Sequence, residues 1–90
     1  MHSGEMPSLY YLRSRDGLEI DLVIELAQKL HLFEIKSAMT IWPKHAASHE
    51  RVLNDPKASV RTAGVISRAK GSFPLKKGIV HYPWKEILGI

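Results

Sequence analysis

In this 90-residue chain, Asp21, Glu34 and Lys36 are the residues best suited to do chemistry. An aspartate on one strand and a Glu-x-Lys on the next gather two carboxylates and an ammonium on one surface. Like charges directly opposed across two strands are destabilising, and a fold normally avoids them. A divalent cation removes the conflict, because Mg²⁺ is held by one or two carboxylates together with water and substrate phosphate. The chemistry that follows is metal-assisted phosphodiester hydrolysis. Asp21 and Glu34 would hold Mg²⁺ or Mn²⁺, which acidifies a bound water and clamps a phosphodiester oxygen. Lys36 would orient the attacking water or stabilise charge on the phosphate, and Arg13 would contact a phosphate. The plainer alternative is a solvated strand face, on which alternating Glu and Lys are ordinary.

The elements that must position these residues can be read from the pattern. Leu9 to Arg15 reads as a strand, and Arg15-Asp16-Gly17 as a turn. Leu18 to Glu25 alternates with a period of two, as does Leu30 to Lys36, with a turn near Ala27-Gln28. Pro43 suits the first turn of a helix over Lys44 to Leu53, with Thr40 as a cap upstream and Asn54-Asp55-Pro56 as the stop. Arg61 to Ser67 is a further strand, Ala69 to Lys77 a loop, Gly78 to Tyr82 a last strand, and Trp84 to Leu88 a short helix. The order is β-β-β-α-β-β-α. It implies an α/β (α+β) domain with a mixed sheet of about five strands and one main helix against it. Matching apolar sets places Leu22 opposite Phe33, and hence Asp21 opposite Glu34 and Glu19 opposite Lys36. A three-residue first turn with a left-handed Gly17 pairs Tyr10 with Leu22, Leu12 with Ile20, Arg13 with Glu19 and Tyr11 with Asp21. One face is then apolar, for the helix to cover. The other carries Arg13, Glu19, Asp21, Glu34 and Lys36.

Gly17-Leu18-Glu19-Ile20-Asp21-Leu22-Val23-Ile24-Glu25, followed by Phe33-Glu34-Ile35-Lys36-Ser37, resembles the PD-(D/E)XK nuclease superfamily. More narrowly, it is similar to the uncharacterised C-terminal domain of many bacterial and archaeal AAA+-type ATPases. The resemblance is good over residues 9–37 and looser beyond, through a helix, a Gly-Val-Ile strand and a closing Pro83-Trp84. It implies a restriction-endonuclease-like core over residues 1–90. It also implies catalytic roles for Asp21, Glu34 and Lys36, with metal held by Asp21, Glu34, the Ile35 carbonyl and the extra acidic Glu19. The implied function is a Mg²⁺- or Mn²⁺-dependent nuclease acting on nucleic acid, a hydrolase if active. The alternative is a catalytically inactive interaction or nucleic-acid-binding module of the same fold. Ile20 stands where the superfamily often has proline, and the helix that usually precedes the first strand is missing. No Gly-x-x-x-x-Gly-Lys-(Ser/Thr) occurs. The expectation is a fragment of a larger ATPase-linked protein, with the ATPase module elsewhere on the same chain or on a partner.

Composition sets outer limits. The chain is 44% hydrophobic and 24% charged, which places it outside the disordered class. One domain is the most it can form, and a domain this small buries only about 60% of its unfolded surface, so a homodimer covering an exposed edge is a third option. A net charge of +4 and a pI near 9.6 fit a phosphate-rich partner. No apolar run reaches the length of a membrane helix, and Met1 to Pro7 has neither the basic nor the apolar region of a signal peptide. The expected location is therefore the cytoplasm, without membrane contact. No cysteine is present, so a disulfide framework and a Cys-ligated zinc site are excluded. His45 and His49 are spaced i, i+4 but lack a third ligand, and read as a solvated helix face. His31 reads as partly buried and hydrogen-bonded. The scattered aromatics read as core or interface. Arg61, Arg68, Lys70, Lys76 and Lys77 read either as a solvated loop and strand edge or as a phosphate-tracking groove.

Overall fold

A computed structural model describes residues 6–88 of the chain. Most of the stretch read for a leader, residues 1–5, lies outside the described residues. The elements are β1 (Ser8–Arg13), β2 (Glu19–Leu26), β3 (Lys29–Ile35), a 3-10 turn (Pro43–Ala46), α1 (Ala47–Leu53), β4 (Val60–Ser67), β5 (Phe73–Lys76), β6 (Ile79–Pro83) and α2 (Trp84–Leu88). No helix among the described residues is long and apolar enough to cross a membrane. The general α/β class holds, but the sheet has six strands rather than five, in the order β1-β2-β3-β4-β6-β5. The extra strand is β5, which lies inside the segment expected to be a loop, Ala69 to Lys77 with Gly71 and Pro74. It is an edge strand, where a missing N–H is tolerated.

Two hairpins build the first half. Gly17, at φ 95°, closes the first, with the Ser14 N–H donating to the Leu18 carbonyl at 3.0 Å. The second turns on two residues, Ala27 and Gln28, at φ 54° and 64°. This left-handed pair suits a two-residue hairpin, whose twist then matches that of its strands. It sets Leu26 opposite Lys29 and Leu22 opposite Phe33, the register expected from the alternation. A parallel pairing needs a long crossover, and the segment holding the 3-10 turn and α1 carries the chain from β3 to a parallel β4. β6 is also parallel to β4, whereas β5 runs antiparallel to β6. The helical segment starts at Trp42 rather than at a Thr40 cap, and its first turn is 3-10.

The faces are assigned differently from the sequence expectation. Leu12 faces Ile20 and Arg13 faces Glu19, as expected, but Tyr10 faces Val23 instead of Leu22. One extra residue is accommodated in β2 at Asp21–Leu22, a β-bulge that reverses the alternation along the strand. Ile20 and Val23 therefore share a face, fully buried with Leu32 against Val52 of α1. Burying each such side chain contributes about 1.5–3 kcal/mol. A second cluster, Ala63, Val65 and Ile79 with Ile41 and Ala46, continues the same layer under the 3-10 turn. Glu34 and Lys36 lie in the Leu32 row, so they belong to the helix-covered face and not to an open polar one. The opposite face carries Leu22, Ile24, Phe33, Ile35, Ile66 and Tyr82, none of them fully buried. Gly64 lies beneath it. A Cβ there would come within 3.0 Å of the Tyr82 ring and 3.2 Å of Phe33.

Candidate functional site

The chemistry-bearing residues meet at the carboxyl end of β3. β3 brings Glu34 and, just past its end, Lys36. The β2 bulge brings Asp21, whose Oδ2 accepts the Ile35 N–H at 2.9 Å. That bond ties the aspartate to the neighbouring strand beyond the regular ladder, which ends at Leu22 and Phe33. Lys36 is held in place by its own N–H, which donates to the Ile66 carbonyl at 2.9 Å. Its Nζ lies 3.8 Å from a Glu34 oxygen.

Glu34 is 5% exposed. Burial, a hydrogen bond to Asp21 and the Asp21 charge push its carboxyl up from 4.5 to about 8. The Glu34 hydrogen bond, together with the Ile35 N–H and the nearby Lys36 and Arg13 charges, holds Asp21 below its ordinary value. The two opposite displacements favour a protonated Glu34 beside an ionised Asp21 at neutral pH. Strongly displaced carboxyls of this kind concentrate where a fold does chemistry.

The other expected residues sit at the rim. Arg13 and Glu19 pair with each other at 3.5 Å, both well exposed, and the Arg13 guanidinium lies 5.8 Å from the Tyr11 ring centre. Glu19 is thus engaged by Arg13, although its charge still reaches Glu34. Ile35 contributes its N–H to Asp21. Among the described residues, no three Asp, Glu, His or Cys side chains converge as a metal-binding group. A protonated Glu34 beside an ionised Asp21 does fit a hard cation that would replace that proton. The remaining ligands would come from main-chain oxygen, water and substrate phosphate, as Mg²⁺ prefers.

Sequence reasoning missed the wall of this site. Because the crossover leaves β3 at its carboxyl end, the 3-10 turn and the start of α1 fold back over it. Ser48 Oγ accepts the Glu19 N–H at 2.9 Å. His45 Nδ1 accepts the Trp42 N–H at 2.9 Å. Burial and the Lys36 and Lys44 charges hold His45 below its ordinary value. The i, i+4 histidines therefore do not form a solvated face. His49 is fully buried, with Nε2 donating to the Gly64 carbonyl at 2.7 Å and Nδ1 left without a partner. His31 behaves as expected, half-buried with Nδ1 2.9 Å from Thr62 Oγ1.

No curated protein and no solved structure matches the chain. A family described as a domain of unknown function, DUF4143, matches residues 1–87. With nearly its whole length covered, the chain belongs to that family, one commonly found in AAA-ATPase-associated proteins.

Proposed function

We propose that this domain is a metal-dependent phosphodiesterase acting on nucleic acid. One observation carries the reading: at the carboxyl edge of the sheet, Asp21 is tied to the Ile35 N–H at 2.9 Å, Glu34 is buried, and Lys36 Nζ lies 3.8 Å from a Glu34 oxygen. Asp21 and Glu34 would hold Mg²⁺ or Mn²⁺, which when bound supplies an acidified water and a clamp on a phosphodiester oxygen. The Ile35 N–H fixes the orientation of the Asp21 carboxylate. Glu34 gives up its proton when a cation binds. Lys36, tethered through its main chain to β4, presents its ammonium to the phosphate or holds the attacking water. Arg13 at the rim steers the phosphate backbone, and the net charge of +4 favours the encounter. An ATPase module, on the same chain or on a partner, would deliver the substrate.

A second reading, an interaction module without catalysis, is favoured by the uncovered apolar face around Phe33, Ile35 and Ile66. Calorimetric Mn²⁺ titration and cleavage of labelled single- and double-stranded DNA and RNA separate the two. The nuclease reading expects one saturable Mn²⁺ site, lost in Asp21→Ala and Glu34→Ala. It also expects cleavage that falls at least about 100-fold in Lys36→Ala, the scale of a lost electrostatic contact. No binding at millimolar Mn²⁺ and no cleavage would overturn it.

A further inference from the structure

We infer that the cleft between Met39, the Arg68–Lys70 turn and Trp84–Lys85 is a nucleotide subsite for single-stranded nucleic acid. The inference rests on the proposed phosphodiesterase reading for the identity of its substrate. The cleft has a volume of about 300 Å³, the lower end of what small-molecule sites show. Three cationic side chains line it, those of Arg68, Lys70 and Lys85, and no acidic residue does. None of the three is in an ion pair among the described residues, whereas Arg13, Arg51 and Lys76 all are. The nearest acid in sequence, Glu86, is engaged by the Ser72 hydroxyl at 3.3 Å. Trp84 supplies a flat aromatic wall, and a base can stack on such a wall whatever its identity.

The cleft is built rather than incidental. Beneath it, the fully buried His81 donates from Nδ1 to the Gly71 carbonyl at 2.9 Å, and its Nε2 accepts the Ser67 hydroxyl at 2.6 Å. Ser67 Oγ in turn accepts the Ala69 N–H at 3.0 Å. This network pins both ends of the 67–71 turn, which displays Arg68 and Lys70. On the other side the Arg68 N–H donates to the Ala38 carbonyl at 3.2 Å. The wall residue Met39 is therefore the continuation of the segment that begins at Lys36.

Position completes the case. The cleft lies beyond the carboxyl ends of β4 and β6, and Glu34 of the acidic pair lies at the carboxyl end of β3, the next parallel strand. Adjacent strands are about 4.8 Å apart. Neighbouring nucleotides of one strand can therefore occupy both places. A pocket of this size accepts a base only when it is unstacked, which selects single strands over duplex.

The test uses the full chain in EDTA, so that cleavage and metal play no part. Binding of a fluorescein-labelled oligothymidylate is followed by anisotropy, and stacking by quenching of Trp84 in a Trp42→Phe background. Three neutralised cations predict that the Arg68→Ala/Lys70→Ala/Lys85→Ala protein loses about 2 from the slope of log K against log salt, at roughly 0.7 per phosphate contact. Its affinity should fall at least tenfold, while Lys57→Ala, which removes an exposed cation from the turn before β4, binds as the wild type does. Saturable oligonucleotide binding that survives the triple substitution, or no binding by the wild type, overturns the inference. If binding behaves as expected while Mn²⁺ binding and cleavage both fail, the subsite stands and only the phosphodiesterase reading is lost.

Discussion

Replacing Glu34 by glutamine tests the Glu34 proton directly, because the amide keeps the shape of the protonated acid and cannot ionise. In the wild type the Glu34 carboxyl is raised from 4.5 to about 8 in the folded protein. A folded state that binds a proton more tightly than the unfolded chain is most stable at low pH, and loses that advantage as pH rises through the folded value. Between pH 7 and 9 the loss amounts to about 1.4 kcal/mol at 1.36 kcal/mol per pH unit. The opposing groups do not intrude. Burial holds His45 and His49 below 6.5, so their contribution is confined to lower pH, and that of Asp21 to the acid range below its ordinary 3.8. Urea denaturation of the wild type should therefore show a midpoint about 1 M lower at pH 9 than at pH 7, for the m-value of a small domain. Glu34→Gln should show a flat midpoint across the same range. At pH 9, millimolar Mn²⁺ should restore stability to the wild type alone. A wild-type midpoint that does not move, or an equal fall in Glu34→Gln, refutes the protonated Glu34.

Other consequences are open to measurement. Mn²⁺ affinity should rise with pH up to about 8 and binding should release a proton, because Glu34 must ionise to bind; calorimetry in buffers of different ionisation heat reads both. Gly64→Ala forces a methyl to within 3.0 Å of the Tyr82 ring and should cost about 1–3 kcal/mol in denaturant midpoint. Ser67→Ala strands the buried Nε2 of His81 and should cost about 1–3 kcal/mol. It should also weaken oligonucleotide binding by loosening the 67–71 turn.

The alternation in Glu19–Leu26 and Lys29–Ile35 carried enough information to pair Leu22 with Phe33, because only that register aligns two apolar rows around a short turn. It could not show which row the helix covers. That choice depends on a bulge at Asp21–Leu22, and an inserted residue leaves no mark in a single sequence. Asp21, Glu34 and Lys36 were legible because their spacing is local to two adjacent strands. Of the basic cleft only Arg68 and Lys70 were, as part of a possible phosphate groove, since its other walls, Met39 and Trp84–Lys85, meet them only through the parallel crossovers. His49 looked like surface because helical spacing shows that two residues share a face, but not whether that face turns toward the sheet. Phe73–Lys76 was hidden by Pro74, a residue that excludes a central strand but not an edge one.

The two borders of the sheet are unequal. At β5 the strand is short, carries Pro74, and shifts register between Pro74 and Lys76, three features that spoil a template for further pairing. At β1 the border strand Ser8–Arg13 has no proline, and Leu9 and Tyr11 are each 64% exposed. Any extended peptide that lengthens this sheet therefore joins on the β1 side. Growth there is one-directional, along the flank of the strand that carries Asp21, and a single lysine or proline placed at Tyr10 should be enough to stop it.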